Sequence, residues 1–220
     1  YAEGNKLSSV DLSSNPSITM LHLGGNQLTA IDVSRQSSLS QLKINDNKIA
    51  TLDLTKNPYL YWLNCENNAI AALDLSKNSY VQWISAENNK LTALDLSNNK
   101  GVQGLTLQNN QMSADAINAM IEQLQDVSSV EITDNNSSWA RKLNISYMPG
   151  TKDANVEAAT AKGWNVTAIA SPTAVGEVDV EVMPVSRTYY NLNGVNVGSE
   201  VTVGGVYVEK TTYSDGTTKS

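Results

Sequence analysis

Five aspartates, Asp11, Asp32, Asp53, Asp74 and Asp95, recur every 21 residues, each followed two positions on by Ser13, Ser34, Thr55, Ser76 or Ser97. Carboxylates stacked in this way repel one another and could recruit a cation. Calcium, however, takes roughly six to eight oxygens, and one carboxylate oxygen plus one hydroxyl per level supplies too few. The column therefore reads as a solvated face tempered by Arg35, Lys56 and Lys77, in which repulsion is expected to raise the titration of the inner aspartates. Glu66 and Glu87, one period apart, are the pair that suggests acid–base work. Two carboxylates about 5 Å apart suit glycoside hydrolysis, but an open strand face has no pocket to drive their acidities apart. His22 is the single histidine, and no nucleophile motif, phosphate loop or metal-ligand spacing occurs. These residues argue against an enzyme and imply no cofactor and no metal.

Contact chemistry is better represented. Trp62 and Trp83 occupy the same place in successive units, "YWLNCENNAIAALDLSKN" and "QWISAENNKLTALDLSNN". The elements that must position them follow from the period. Leu7, Leu28, Ile49, Ile70, Leu91 and Met112 keep the same spacing. Each unit carries L-x-x-L-x-L-x-x-N twice, as in Leu60, Leu63, Cys65, Asn68 and then Ile70, Leu73, Leu75, Asn78. Two short alternating runs per unit mean two short strands. One unit cannot bury its apolar residues, whereas units stacked about 4.8 Å apart bury them between neighbours, as two parallel sheets back to back.

Over residues 1–110 this pattern resembles the leucine-rich repeat family, and "LDLSxNxxLxxLxCxxN" is similar to the short-period repeats of secreted and surface proteins of Bacteroidetes. "SADAINAMIEQLQD" and "PGTKDANVEAATAKGWNVT" resemble the ends of such arrays, and "TYYNLNGVNV" with "GGVYVEKTTYSDGTTKS" the small β modules that follow them. The fold class expected is mainly β with a few helices: a leucine-rich-repeat solenoid with a helical C-terminal cap (residues 1–170), a linker (171–174) and a small antiparallel β domain (175–220), which in similar proteins would continue by one more strand. The resemblance implies a non-enzymatic protein–protein interaction or adhesion module, secreted or at the bacterial cell surface.

Some columns need no function. Asn26, Asn47, Asn68, Asn89 and Asn110 follow a strand where the chain turns, and a side-chain amide there supplies both donor and acceptor to stranded backbone groups. Asn15, Gln36, Asn57, Asn78 and Asn99 form a second such column. Cys65 shares its column with Leu23, Ile44, Ala86 and Leu107 and reads as a small core residue.

The end of the array indicates which sheet faces a partner. Ser113 can cap a helix through Asp126 whose Ile117, Met120, Ile121 and Leu124 form one stripe. A helix about 10 Å wide, replacing a strand that takes about 5 Å, belongs on the convex side, which leaves the "LNCEN" sheet concave. Its outward columns are Met20, Gln41, Trp62, Trp83, Gly104; His22, Lys43, Asn64, Ser85, Thr106; and Gly24, Asn45, Glu66, Glu87, Gln108. Unlike the structural columns they vary, and an exposed indole pair is the usual make-up of an interface hot spot or a sugar platform. Trp62, Trp83, Asn64, Glu66, Glu87 and Lys43 are therefore the candidate binding patch. Alternatively, the indoles pack on each other or on Tyr59 and Tyr80.

Past Asn110, "VEITDN" and "KLNISYM" suggest last strands in a closing hairpin or shortened turn, Asp153 to Lys162 a helix ended by Gly163, and "WNVTA" a strand. Beyond these, Val178, Val180 and Val182, then "TYYNL", "VTV" and "GVYVEKTTY" around Asn193-Gly194 and Asp215-Gly216, suggest antiparallel hairpins. Tyr1 falls inside a coil, so further chain, including a signal peptide, is expected before it. The net charge of -7, from 22 acidic and 15 basic side chains, argues against nucleic acid as a partner. No apolar run approaches the roughly 18 residues of a membrane span. The partners expected are a protein or peptide, a host protein among them, or a glycan; a spacer with no ligand of its own is the third reading.

Overall fold

The computed structural model describes residues 1–131, 133 and 138–171, and beyond them the backbone of four strands. The chain divides into two units, Tyr1–Pro172 and Thr173–Ser220, each described by itself.

The first unit is built on three-residue strands: β1 (Met20–His22), β2 (Gln41–Lys43), β3 (Trp62–Asn64), β4 (Trp83–Ser85), β5 (Gly104–Thr106), β6 (Lys142–Asn144) and β7 (Asn165–Thr167). They form one sheet in chain order, and every pairing is parallel. Through β5 each residue pairs with its counterpart in the next unit, Leu42 with Leu63 and Leu63 with Ile84, so the sequence period is the register. The central residue of each strand points inward, and Leu21, Leu42, Leu63, Ile84, Leu105 and Leu143 are buried.

The strands stop where the chain turns through a left-handed residue. Asp46, Asn67, Asn88 and Asn109 have φ of 54°, 54°, 53° and 58°, a conformation that aspartate and asparagine tolerate better than other side chains. The asparagine after each turn does what its column implies. Asn68 Oδ1 accepts from the Ile49 N–H at 2.9 Å, and its amide donates to the Cys65 carbonyl at 3.1 Å and to the Ile44 carbonyl one coil back at 2.9 Å.

Among the described residues the "LDLS" runs are not in strands and form no second parallel sheet. The carbonyls that a ladder would use are already taken. The Leu54 carbonyl accepts from the Asn57 N–H within its own turn at 3.0 Å and from the Asn78 side chain of the next coil at 3.1 Å. Leu12, Val33 and Leu75 are served in the same way through Gln36, Asn57 and Asn99. On this side coils are joined by buried side-chain amides rather than by strand pairing.

Helix α1 (Ala114–Gln123) starts at Ser113, whose hydroxyl accepts from the Ala116 N–H at 3.2 Å, and buries Ile117, Met120 and Ile121. It lies against the last "LDLS" run, where the Gln123 side chain accepts from the Leu96 N–H at 2.5 Å. Its free C-terminal carbonyls are closed from a distance: Lys162 Nζ donates to the Ile121, Glu122 and Leu124 carbonyls at 3.0, 2.9 and 2.8 Å, a cation placed at the negative end of the helix.

The closing hairpin or shortened turn expected beyond the array is corrected by the pairing. Lys142–Asn144 is the next parallel rung beside β5, reached by a longer coil in which α1 takes the return path. Of "VEITDN", residues 132, 134 and 135 lie outside the described residues, and Val130 and Glu131 are not in a strand. The single helix expected over Asp153 to Lys162 is a 3₁₀ turn at Thr151–Asp153 followed by α2 (Val156–Ala161), and Gly163, at φ 82°, turns the chain into β7.

In the second unit, β8 (Pro184–Asn191), β9 (Asn196–Gly198), β10 (Tyr207–Tyr213) and β11 (Thr218–Lys219) pair antiparallel in the order β11-β10-β8-β9. Most of the expected linker, Val178, Val180 and Val182, "VTV", and the Asn193-Gly194 and Asp215-Gly216 turns lie outside the described residues.

Candidate functional site

Outward residues of neighbouring strands stand side by side because the register is in step. Trp62 pairs with Trp83 and Asn64 with Ser85 across β3 and β4, and Ser85 pairs with Thr106 on β5. The indoles are less open than an exposed pair. Trp62 is half-buried and Trp83 only 9% exposed. Their ring centroids are 6.4 Å apart and edge-on, and a third indole, Trp139, lies 6.1 Å from Trp62 and 6.0 Å from Trp83. Edge-on and tilted contacts of this kind are favourable beyond the area they bury. Gly104 makes room for the cluster, since a Cβ there would fall 2.3 Å from the Trp83 ring and 2.4 Å from the Trp139 carbonyl oxygen.

Sequence reasoning missed Trp139. It lies in the long coil between β5 and β6, where the period is broken, so no column contains it; a tryptophan in a polar stretch was the only signal. The indoles do not pack on the tyrosines. Tyr59 and Tyr80 stack on each other, with centroids 6.1 Å apart, and are 60% and 61% exposed.

The remaining candidate residues surround the indoles. Lys43 Nζ sits 5.5 Å from the Trp62 ring centre, a cation–π contact. Asn64 accepts from the Glu66 N–H at 3.2 Å. The Ser85 hydroxyl lies 3.1 Å from Glu66 Oε2 and 2.5 Å from Glu87 Oε2, and the Gln108 amide donates to Glu87 Oε1 at 3.4 Å. Burial, and then the charge of Glu87, push the Glu66 carboxyl above its ordinary value. All six residues therefore belong to one face, grouped around an indole cluster and a shared hydroxyl.

Burial pushes the Cys65 thiol well up, the Glu87 and Glu66 charges adding to it. A buried thiol so hard to ionise is a core residue. Burial likewise holds His22 below its ordinary value; its ring packs edge-on to Tyr1 at 4.5 Å.

The aspartate column requires a correction, because its titration runs opposite to the expectation. The hydroxyl and the N–H of Thr55 donate to Asp53 at 2.7 and 2.9 Å and hold its carboxyl below the ordinary value; for Asp74 the leading donor is the Ser76 N–H at 2.9 Å. Repulsion from the aspartate one coil back acts the other way and is the weakest contribution, because the column faces water. With folded values depressed, the contribution of these groups to stability is present above the unfolded value of about 3.9 and is lost as pH falls through the folded value. Side-chain carboxyl NMR titration is expected to place both Asp53 and Asp74 below that value; midpoints at or above it would reinstate repulsion as the dominant effect.

No family model matches the chain, and no curated protein matches it. Solved structures are similar to the chain, three of them as follows. The functional domain of InlJ from Listeria monocytogenes is 28% identical, covering 71% of this chain and 40% of that one, with a TM-score of 0.47. An internalin (inlF) from the same organism is 24% identical over 55% of this chain and 38% of that one, with a TM-score of 0.53. A leucine-rich repeat protein of Leptospira interrogans is 17% identical over 74% of this chain and 53% of that one, with a TM-score of 0.52. The chain thus spans between 38% and 53% of the length of these structures.

Proposed function

We infer, from a chain with the fold of leucine-rich repeat proteins, a protein–protein interaction or adhesion module without catalytic activity, exported to the bacterial surface. It binds through the outward, concave face of the seven-stranded sheet. The observation that carries this reading is the clustering of Trp62, Trp83 and Trp139 on the one face whose columns vary from coil to coil. Aromatic anchors ringed by polar side chains are where binding energy concentrates in an interface. Two solved structures, an internalin and a leucine-rich repeat protein, share the fold with TM-scores of 0.53 and 0.52. No helix among the described residues is long and apolar enough to cross a membrane. The helical cap closes the solenoid by about residue 170, and the strands of the second unit form a β appendage that orients or attaches it.

The test is binding of the wild-type chain and a Trp62→Ala/Trp83→Ala variant to an array of matrix proteins and glycans, after circular dichroism has shown both to be folded. A protein hit that the variant loses supports the reading; hits that the variant keeps overturn it. Tyr59 and Tyr80, stacked and mostly exposed, favour a glycan as the second reading. A partner held partly by charge weakens as salt rises, whereas a stacked sugar does not.

A further inference from the structure

Beside the indole cluster, where the Trp62 and Trp139 N–H groups are buried without a partner, the carboxylates of Glu66 and Glu87 offer more acceptor positions than the donors that reach them. Ser85 has one hydroxyl proton to share between Glu66 and Glu87. Among the described residues no lysine or arginine pairs with either carboxylate. Next to Ser85 in the register stands Thr106, on the same outward side of β5 and only 2% exposed, and its hydroxyl has no hydrogen-bond partner. Gln108 spends its amide N–H on Glu87, and its carbonyl oxygen is buried and unpartnered. A buried polar group without a partner is costly, and two part-buried carboxylates without a cation more so. Ser85 and Thr106 stand two residues, about 7 Å, along the strands from Trp83 and Gly104, and both carboxylates reach back to the Ser85 hydroxyl.

A ligand that satisfies them must carry positive charge and several donors at fixed angles. A guanidinium does both, with five N–H groups in a planar fork and a flat face that stacks on aromatic rings. We propose that Glu66, Ser85, Glu87, Thr106 and Gln108 form a receptor for an arginine side chain of the partner, with Trp62, Trp83 and Trp139 packing against its alkyl chain and guanidinium plane. Burial, and then the Glu87 charge, make the Glu66 carboxyl a weaker acid than usual, and a cation placed beside the pair relieves both. The proposal rests on the strand face being the binding surface, and it narrows the partner to one presenting an exposed arginine.

The probe is acetylated hexa-arginine amide, titrated at pH 7 and low ionic strength into the ¹⁵N-labelled chain. Saturable shifts are expected at the amides of Ser85, Glu87, Thr106 and Gln108 and at the indole N–H groups of Trp62 and Trp139, with hexalysine binding more weakly. Glu66→Gln/Glu87→Gln should weaken binding by about tenfold or more, since two charge-assisted contacts are lost. Asp53→Asn/Asp74→Asn, which removes the same charge from the aspartate column, should change it by less than about twofold at that distance. Equal losses in the two double variants would reduce the effect to net charge and overturn the proposal. So would the absence of saturable shifts, or the same amides responding to calcium chloride alone. An array hit lost by Trp62→Ala/Trp83→Ala but kept by Glu66→Gln/Glu87→Gln, and not displaced by hexa-arginine, removes the arginine while leaving the face. Shifts centred away from the face, with no tryptophan-dependent hit, remove both.

Discussion

Replacing Asn78 by leucine is expected to lower the unfolding free energy of the repeat unit by about 3 kcal/mol, roughly a hundredfold in the folded-to-unfolded ratio. Asn78 is fully buried, and its amide donates to the Leu54 carbonyl at 3.1 Å and to the Asn57 carbonyl at 2.8 Å, both one coil back. Leucine has a similar volume and leaves no large void, so the loss comes from two interior carbonyls that keep one backbone donor each, the N–H of Asn57 and of Leu60, and lose the second. Because no strand ladder crosses the coils on this side, the amides tie neighbours together beside a single backbone bond per coil, such as Ala69 N–H to the Ile49 carbonyl at 2.8 Å, and nearest-neighbour coupling is what makes a solenoid unfold as a unit. Urea unfolding followed by far-ultraviolet circular dichroism should show an earlier midpoint, and a broader transition if the coils uncouple. Asn78→Gln should lose far less, since Gln36 already fills the same column and donates to the Leu12 and Asn15 carbonyls at 2.9 and 3.1 Å. If leucine and glutamine behave alike, the amide tie is not what holds this side together.

Gly104→Ala is expected to open the tryptophan cluster. Its φ is unexceptional, so the constraint is space. The new methyl would meet ring carbons of Trp83 at 2.3 and 2.6 Å and the Trp139 carbonyl oxygen at 2.4 Å. A ring edge can swing, but the carbonyl belongs to the backbone of the coil that carries Trp139, so that coil must lift. Overpacking of this kind costs about 1–3 kcal/mol. The larger consequence is at the site: with Trp139 displaced, Trp83 loses a neighbour 6.0 Å away and Trp62 one 6.1 Å away. Tryptophan emission should move to longer wavelength and acrylamide quenching should rise, while Trp164 provides an internal reference, buried with its indole N–H donating to the Gln125 carbonyl at 2.9 Å. Binding that depends on Trp62 and Trp83 should fall in parallel. Unchanged emission and quenching would show that Trp139 does not cover the pair.

Much of the architecture was legible in the sequence because a solenoid turns period into position. Columns 21 residues apart became rungs of one sheet, so Trp62 could be set beside Trp83, and Ser85 beside Thr106, without coordinates. The turn asparagines were legible for the same reason: each asks the same service of its coil. The closing segments were not, because α1 and the long coil after β5 abandon the period; β6 was read as a last strand in a closing hairpin or shortened turn, and Trp139 was left without a neighbour. The aspartate column was legible as geometry and misread as energy. Column spacing suggested repulsion, but donors two residues away in each turn outweigh carboxylates one coil apart across water.

What the sequence determined by itself is whatever repeats: the strand register, the buried apolar layer, the asparagine columns and the face on which variable residues gather. Each depends only on contacts between a residue and its counterpart one period away, and the spacing states them directly. Tertiary structure decided whatever depends on partners at irregular separations. Trp139 covers Trp83, Lys162 closes α1, buried amides take the place of a second ladder, and one serine proton is shared between two carboxylates. These rest on where a non-repeating coil returns and on how many donors meet how many acceptors in a small volume, and no spacing along the chain encodes either.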